Sequence, residues 1–551
     1  MRTKEITVSD QIVQALESYG VEYVFGVPGE ETEDLLFSLA NSKVQFIPTR
    51  HEQGAAFMAN VWGRLTGRAG VCLSTLGPGA TNLITGLADA YLDKAPVVAL
   101  TGQAHSARLH KESHQYIDVV SMFRPITKWN TSIQNPTIAG EAISKAFKVA
   151  ETEKPGVTHI DLPEDIAGMP ATGAIIPLVK VRRASPDYKA IENAVALIKK
   201  AKQPVILAGN GAIRKLASKH LRLLTERMNI PVVSTFMGKG AVSDRALISL
   251  HAAGMKAKDI PVLALEQADL IITVGYDIAE YDPEYWNTKP SRPIIHIDFE
   301  HAEVYSFYQP QVEIIADISA TLWELDQKLE SENVKQFSSW FTGIKKAIET
   351  DLQAYDKSGK TVTIPFVLNE LRKVMQDTDI ILSDVGSHKM WIARNFPVYE
   401  PGTCIMSNGL ASMGIALPGG IAAKLAKPDA RVVSVMGDGG FLMNSQEIET
   451  AKRMGVPFTI IVLNDNDYGL ISWKQTSHRG RAVGTKLGNP DFVKYAQSFG
   501  IKAYEAKNRE DVLKVLKKAI NSNELNLVAI NVDPSENLKL SAKLGKGLKP
   551  Q

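Results

Sequence analysis

The sequence predicts an α/β protein built of three doubly wound parallel-sheet domains. At 551 residues the chain exceeds what one ordinary hydrophobic core holds, so about three domains is the natural division. Short β-rich apolar runs alternate with helical patterns along the chain, as expected of parallel strands joined by crossover helices that cover both faces of a sheet. The alternation breaks twice: at the charged, Pro-bearing stretch Lys180 to Asp187, and where polar helical sequence from Leu322 to Asp356 runs into Lys357-Ser-Gly-Lys360. These breaks divide the chain into residues 1–180, 181–356 and 357–551.

In the first domain the strands are read at Tyr23-Val-Phe, Gln45-Phe-Ile, Gly70 to Ser74, Val97 to Thr101 and Thr158 to Leu162. His51-Glu52-Gln53-Gly54-Ala55-Ala56-Phe57-Met58-Ala59 opens a helix directly after the second of them. Leu76-Gly77-Pro78-Gly79-Ala80-Thr81-Asn82 is a strand-to-helix turn. The second series comprises Pro204 to Ala208, Pro231 to Ser234, Leu270 to Val274 and Ile294 to Asp298. The third comprises Ile380 to Ser383, Arg431 to Met436, Phe458 to Leu463 and Leu527 to Val532. No internal repeat is evident.

Composition excludes several classes of function. With 62 basic and 60 acidic residues, a formal charge of +2, there is no field to favour nucleic acid or an anionic membrane, and a small-molecule enzyme or an oligomer fits better. Only Cys72 and Cys404 occur, both in apolar runs, which argues for buried packing residues in a reduced compartment and against a disulfide framework, a zinc site or an iron–sulfur cluster. The first ten residues lack the apolar core of a signal peptide and carry acids that a transit peptide avoids. No apolar stretch reaches bilayer length. The expected location is the cytoplasm, and the lysines from Lys539 to Lys549 read as a solvated or docked tail.

The chemistry concentrates in two regions. Gly437-Asp438-Gly439-Gly440 follows a buried strand, where open α/β sheets bind ligands at their C-terminal edge. A hard divalent cation bridging to a diphosphate takes a few protein oxygens and leaves the rest of its shell to phosphate and water, so Asp438 needs a second donor from the next strand. Asp465, in Asn464-Asp465-Asn466 after the Phe458–Leu463 run, is that donor. Either half alone would be read as a turn; each following a β-rich run, they form a specific pair. In the first domain Glu52 is either a helix N-terminal acid favoured by the macrodipole or a pocketed carboxyl used for proton exchange. The small and apolar residues after it favour the second reading.

Together these motifs resemble the thiamine diphosphate fingerprint of the decarboxylase and acetohydroxyacid synthase superfamily, and the resemblance extends over essentially the whole chain. It implies pyrimidine-binding, central and diphosphate-binding domains, in that order. The usual second asparagine of the fingerprint is here Asp465, as in the catabolic acetolactate synthases, and Asp467 would offer its main-chain carbonyl as third metal ligand. Arg50 to Ala59 matches the activating-glutamate helix, in which Glu52 hydrogen-bonds the aminopyrimidine so that its imino tautomer can remove the thiazolium C2 proton. Gly29, in Phe25-Gly26-Val27-Pro28-Gly29, matches the glycine loop beside the thiazolium, although Glu30-Glu31 depart from the small residues of the biosynthetic enzymes. Gly79 and Asn82 lie in the segment near the pyrimidine, and His114 and Gln115 are substrate-side groups able to donate hydrogen bonds to a carbonyl or carboxylate. Cofactor contacts are further implied at Gly386, Ser387, His388, Gly409, Ala411, Gly437, Gly439, Gly440, Tyr468, Gly469 and Leu470. Met413 takes the place of the bulky residue wedged between the cofactor's two rings.

Tyr276 to Asn287 is similar to the catabolic pattern, and Gly254-Met255-Lys256-Ala257 alters the Gly-Met-His-Gly element of flavin-containing relatives. The resemblance therefore implies thiamine diphosphate with Mg2+ or another divalent ion, no FAD, and pyruvate as substrate, converted to 2-acetolactate and CO2. It also implies self-association into a dimer or tetramer with active sites at the interface; a small regulatory subunit is left open. Alternatives are a biosynthetic catalytic subunit that also uses 2-oxobutyrate, another 2-oxoacid decarboxylase or carboligase, or a silent regulatory homologue, which would be expected to have lost Glu52 or Asp438. The specificity tryptophan of the biosynthetic enzymes falls at Lys474, with Trp473 beside it at the expected entrance.

Overall fold

In a computed structural model the described residues are 5–545, except 180, 182, 215, 256–258, 290 and 358–359. Lys256 and Ala257, parts of both linkers, the first four residues and the end of the lysine-bearing tail thus lie outside the described residues.

Eighteen strands form three six-stranded sheets among the described residues, and every ladder is parallel. The first sheet holds β1 (Tyr23–Gly26), β2 (Gln45–Pro48), β3 (Gly70–Ser74), β4 (Val97–Gln103), β5 (Trp129–Ser132) and β6 (Val157–Pro163), in the order β2-β1-β3-β4-β6-β5. The second holds β7 (Pro204–Ala208), β8 (Val232–Ser234), β9 (Ser249–Ala252), β10 (Leu270–Val274), β11 (Ile294–Asp298) and β12 (Val312–Ile315), in the order β12-β11-β10-β7-β8-β9. The third holds β13 (Ile380–Ser383), β14 (Cys404–Met406), β15 (Val432–Gly437), β16 (Thr459–Asn464), β17 (Lys502–Ala506) and β18 (Asn526–Asn531), in the order β14-β13-β15-β16-β18-β17.

Counted within their own series, the first and third sheets share one strand order, and the second has the order of a dinucleotide fold. Apart from Gln45-Phe-Ile, which forms the edge strand β2, the apolar runs read in the sequence form the inner strands of all three sheets, because a strand covered by helices on both faces is largely apolar. β3 and β4 are buried at every residue.

Contacts gather the chain into two units. Met1–Arg182, Ser407–Asp429 and Leu442–Pro457 form the first; Arg183–Met406, Ala430–Phe441 and Phe458–Gln551 form the second. In the first unit the helix Ala416–Ala426 packs against the helix Glu52–Thr66, whose N-terminal two-thirds are buried.

Candidate active site

In the first unit Glu52 is the first residue of the helix Glu52–Thr66, capped by His51, whose Nδ1 accepts the Gln53 N–H at 3.0 Å. Only 8% of the glutamate is exposed. Asn82, on the helix Pro78–Leu92, donates from Nδ2 to Glu52 Oε2 at 2.9 Å. That second helix begins at Pro78 behind Gly77, whose φ of 51° a side chain would strain. A Cβ added at Gly79 would lie 3.4 Å from Glu52 Oε1 and 2.8 Å from Thr75 Cγ2, while one at Gly29 would overlap Thr75 Cβ at 2.3 Å. Gly29, Gly79 and Glu52 therefore converge around Thr75, a residue with no signal of its own in the sequence. Its hydroxyl donates to the Glu31 carboxylate, which gives the departure at Glu30-Glu31 a local partner.

His114 and Gln115 are exposed on one loop. The Gln115 carbonyl lies 2.6 Å from where a Cβ on Gly77 would stand, which puts this loop beside the same turn. Gly409, Ala411 and Met413 lie on a segment fastened from the Pro78–Leu92 helix side. Asp93, the residue capping that helix, accepts the Gly409 N–H at 2.7 Å and the Asn408 N–H at 3.1 Å. The fully buried Asp89 accepts the Ser407 hydroxyl, and Asn60 Nδ2 at 2.9 Å. Burial, then the neighbouring Asp93 charge, raises the Asp89 carboxyl above its usual range. Met413 is half-buried and Ala411 exposed.

In the second unit β15 ends at Gly437 and hands the chain to the helix Asp438–Asn444. Asp438 is 1% exposed; its Oδ2 accepts from Asn489 Nδ2 at 2.6 Å and its Oδ1 from the Gly439 N–H at 3.0 Å. Asn489 also reaches Asn464 Oδ1 at 2.9 Å and Asn466 Oδ1 at 3.1 Å, tying the ends of β15 and β16 together. Burial raises the Asp438 carboxyl. Burial, followed by the charges of Asp438 and Asp467, pushes Asp465 up to about 7. Burial alone would raise Asp467 as well, but hydrogen bonds from Thr485, Lys486 and Ser472 outweigh it and hold that carboxyl below its usual value.

A cation would relieve this crowding of carboxylates, so the donor set fits a hard divalent ion. Among the described residues no group of three or more His, Cys, Asp and Glu side chains gathers into a metal cage. Two carboxylates plus a main-chain carbonyl suit an ion that keeps room for phosphate oxygens.

A Cβ on Gly469 would meet Asp465 Oδ2 at 2.6 Å and Ser387 Oγ at 3.1 Å, and one on Gly439 would meet the Tyr468 ring at 2.8 Å. A Cβ on Gly437 would stand 3.4 Å from the His388 imidazole. The structure thus gathers Ser387, His388, Gly437, Gly439, Asp465, Tyr468 and Gly469 at the C-terminal ends of β13, β15 and β16; Gly386 directly precedes Ser387, Gly440 follows Gly439, and Leu470 follows Gly469. Burial lowers His388 to about 4, so its ring is neutral at ordinary pH. Trp473 corrects an expectation: it does not line an entrance but is 3% exposed, stacked on Trp391 with centroids 6.4 Å apart, and its Nε1 donates to Ser541 at 2.7 Å.

Comparisons with known proteins decide the family. Residues 6–122 match the N-terminal TPP binding domain of thiamine pyrophosphate enzymes, 191–325 their central domain and 384–530 their C-terminal TPP binding domain. This chain belongs to the thiamine pyrophosphate enzyme family. It is 36% identical to the acetolactate synthase of Bacillus subtilis over 545 residues, covering 97% of this chain and 94% of that protein. It is also 36% identical to a catabolic acetolactate synthase of Raoultella terrigena, over 97% of both chains. A probable acetolactate synthase large subunit of Methanocaldococcus jannaschii is again 36% identical, over 97% of this chain and 93% of its own. No helix among the described residues is long and apolar enough to cross a membrane.

Proposed function

We propose that this chain is a thiamine diphosphate-dependent acetolactate synthase, which decarboxylates one pyruvate and joins the remaining two-carbon unit to a second, giving 2-acetolactate and CO2. The observation that carries the reading is the full-length likeness to proteins of that name in a chain that retains Glu52, Asp438 and Asp465.

When bound, thiamine diphosphate supplies a nucleophilic carbon and an electron sink for decarboxylation. Glu52, aimed by Asn82, exchanges a proton with the aminopyrimidine ring nitrogen. The side chains of Asp438 and Asp465 and the main-chain carbonyl of Asp467 would hold magnesium. The segments Gly386 to His388, Gly437 to Gly440 and Tyr468 to Leu470 would hold the diphosphate. Gly29, Gly79, Gly409, Ala411 and Met413 would border its rings, and His114 and Gln115 would donate hydrogen bonds to the substrate's oxygens. The active unit is a dimer or a tetramer in which each site is completed by a second copy, in the cytoplasm, with domains dividing near residues 180 and 356.

We further infer that the enzyme is of the catabolic, pyruvate-specific kind and works without flavin. In a sheet of dinucleotide order the ligand crevice opens where the order reverses, at the C-terminal ends of β7 and β10. The loops that follow β7 and β10 meet there. The carboxylate of Glu280 takes the Asn210 N–H at 3.0 Å together with the Thr235 hydroxyl, and Gly275, with φ 56°, packs backbone to backbone on Gly211. Trp286 and Tyr276 are buried behind it. A desolvated acid at the turn that would receive a diphosphate supports a site without flavin.

The test is product analysis of the purified protein with pyruvate, thiamine diphosphate and magnesium, its absorption spectrum having been recorded first. Acetolactate dependent on both additions, with no flavin band, is expected; acetaldehyde as main product would overturn the synthase reading. With equal pyruvate and 2-oxobutyrate, predominance of acetohydroxybutyrate would overturn the pyruvate-specific one.

A further inference from the structure

Glu447 is a fully buried acid to which the reaction as proposed gives no role. It opens the short helix Glu447–Arg453, and its carboxylate points at a distant stretch of backbone. Oε1 accepts the N–H of Arg50 at 3.0 Å and that of His51 at 3.1 Å. Oε2 accepts the Thr450 hydroxyl at 2.6 Å, which fixes the plane of the carboxyl group. Gly54 leaves room for it, since a Cβ there would come within 2.8 Å of Oε1. From the far end of the same helix the Arg453 guanidinium donates to the Pro48 carbonyl. One helix therefore grips the bend between β2 and the helix Glu52–Thr66 at both its N–H groups and its carbonyl. Glu52 is the next residue after the two gripped amides, and its own carboxylate is aimed by Asn82.

We propose that Glu447 is the positioning residue for Glu52, setting where that carboxylate stands by holding the backbone of residues 50 and 51. The role rests on the acetolactate synthase reading, which makes Glu52 the proton-exchanging group. It requires an acceptor oxygen at a fixed reach, not a charge. Burial pushes the Glu447 carboxyl up to about 7, so acid and anion coexist near neutrality, and both present an acceptor to the amides. Glutamine preserves that reach and that acceptor. Aspartate keeps the charge but draws the oxygen back by one methylene, and misplacement on this scale costs roughly 10²-fold in a positioned step.

Two readouts on the full-length protein test this. Amide hydrogen exchange of residues 48–54 without cofactor reports the grip, and C2 hydrogen–deuterium exchange of bound thiamine diphosphate reports Glu52. Glu447→Gln should stay within about three-fold of the unmodified protein in both, whereas Glu447→Asp should lose about ten-fold in protection at Arg50 and His51 and about 10²-fold in C2 exchange. Cofactor affinity should be retained in both variants. Glu447→Gln failing as Glu447→Asp does would overturn the proposal in favour of a proton-carrying role. Glu447→Asp leaving either readout near normal would overturn it outright. Absence of C2 exchange in the unmodified protein, with residues 50 and 51 protected, would instead overturn the functional reading and this role with it.

Discussion

Glu52 and Asp438 lie in different units, and their substitutions should fail in different ways. Glu52→Gln keeps shape and the contact with Asn82 but cannot relay a proton, so turnover should fall by about 10²-fold or more while the protein stays folded and binds the cofactor. Steady-state rates beside cofactor titration check this, and near-normal turnover would remove Glu52 from the mechanism. Asp438→Ala deletes one of the two carboxylates expected on the metal. It should weaken magnesium-dependent cofactor binding, with activity partly recovered at high magnesium and cofactor; affinity equal to that of the unmodified protein would refute the metal assignment. These residues stood out in the sequence because the chemistry proposed for them dictates their type and their place after a strand. Thr75, Asp93, Glu447 and Asn489 were not. They act on backbone N–H groups, glycine surfaces or amide oxygens brought near by folding; Glu447 meets Arg50 and His51 from 397 and 396 residues away, and no local pattern encodes that.

At the level of elements the sequence displayed the inner strands and largely hid the edges. The five strands not read from it, β5, β9, β12, β14 and β17, all lie at sheet edges. Such strands are covered on fewer sides and need no continuous apolar run. β5 is only half-buried throughout, β17 reads Lys-Ala-Tyr-Glu-Ala with one buried residue, and β14 is three residues long. β2, the one edge strand that was legible, announced itself through the helix that follows it. The loop after β10 carries the prediction for this scale. Burial first, then the Asp277 charge, holds Glu280 above the usual carboxyl range, against hydrogen bonds from Thr235 and Asn210. A raised folded-state value means that the folded protein binds this proton more tightly than the unfolded chain. The resulting stability is complete below the ordinary value of 4.5 and is lost as pH rises through the folded one. Glu280→Gln removes the titration, so its Tm should rise relative to that of the unmodified protein as the pH increases from about 5 to 9. Parallel Tm curves would show that Glu280 does not titrate in this way.

For the whole molecule the proposed assembly makes a quantitative prediction. If Glu52 of one copy serves the metal cluster of another, a mixed dimer of Glu52→Gln and Asp438→Ala chains contains one intact site and one doubly damaged site. Random co-assembly of the two inactive variants should then restore about a quarter of normal activity, whereas sites confined to single chains would restore none. The central claim, that this chain joins two pyruvates, is tested most directly by following [2-13C]pyruvate by NMR with the purified protein, thiamine diphosphate and magnesium. The account predicts 2-acetolactate in which the two labelled carbons are bonded to each other and show 13C–13C coupling, formed only when the cofactor is present. Singly labelled acetaldehyde without that coupling, or unchanged pyruvate, would contradict it.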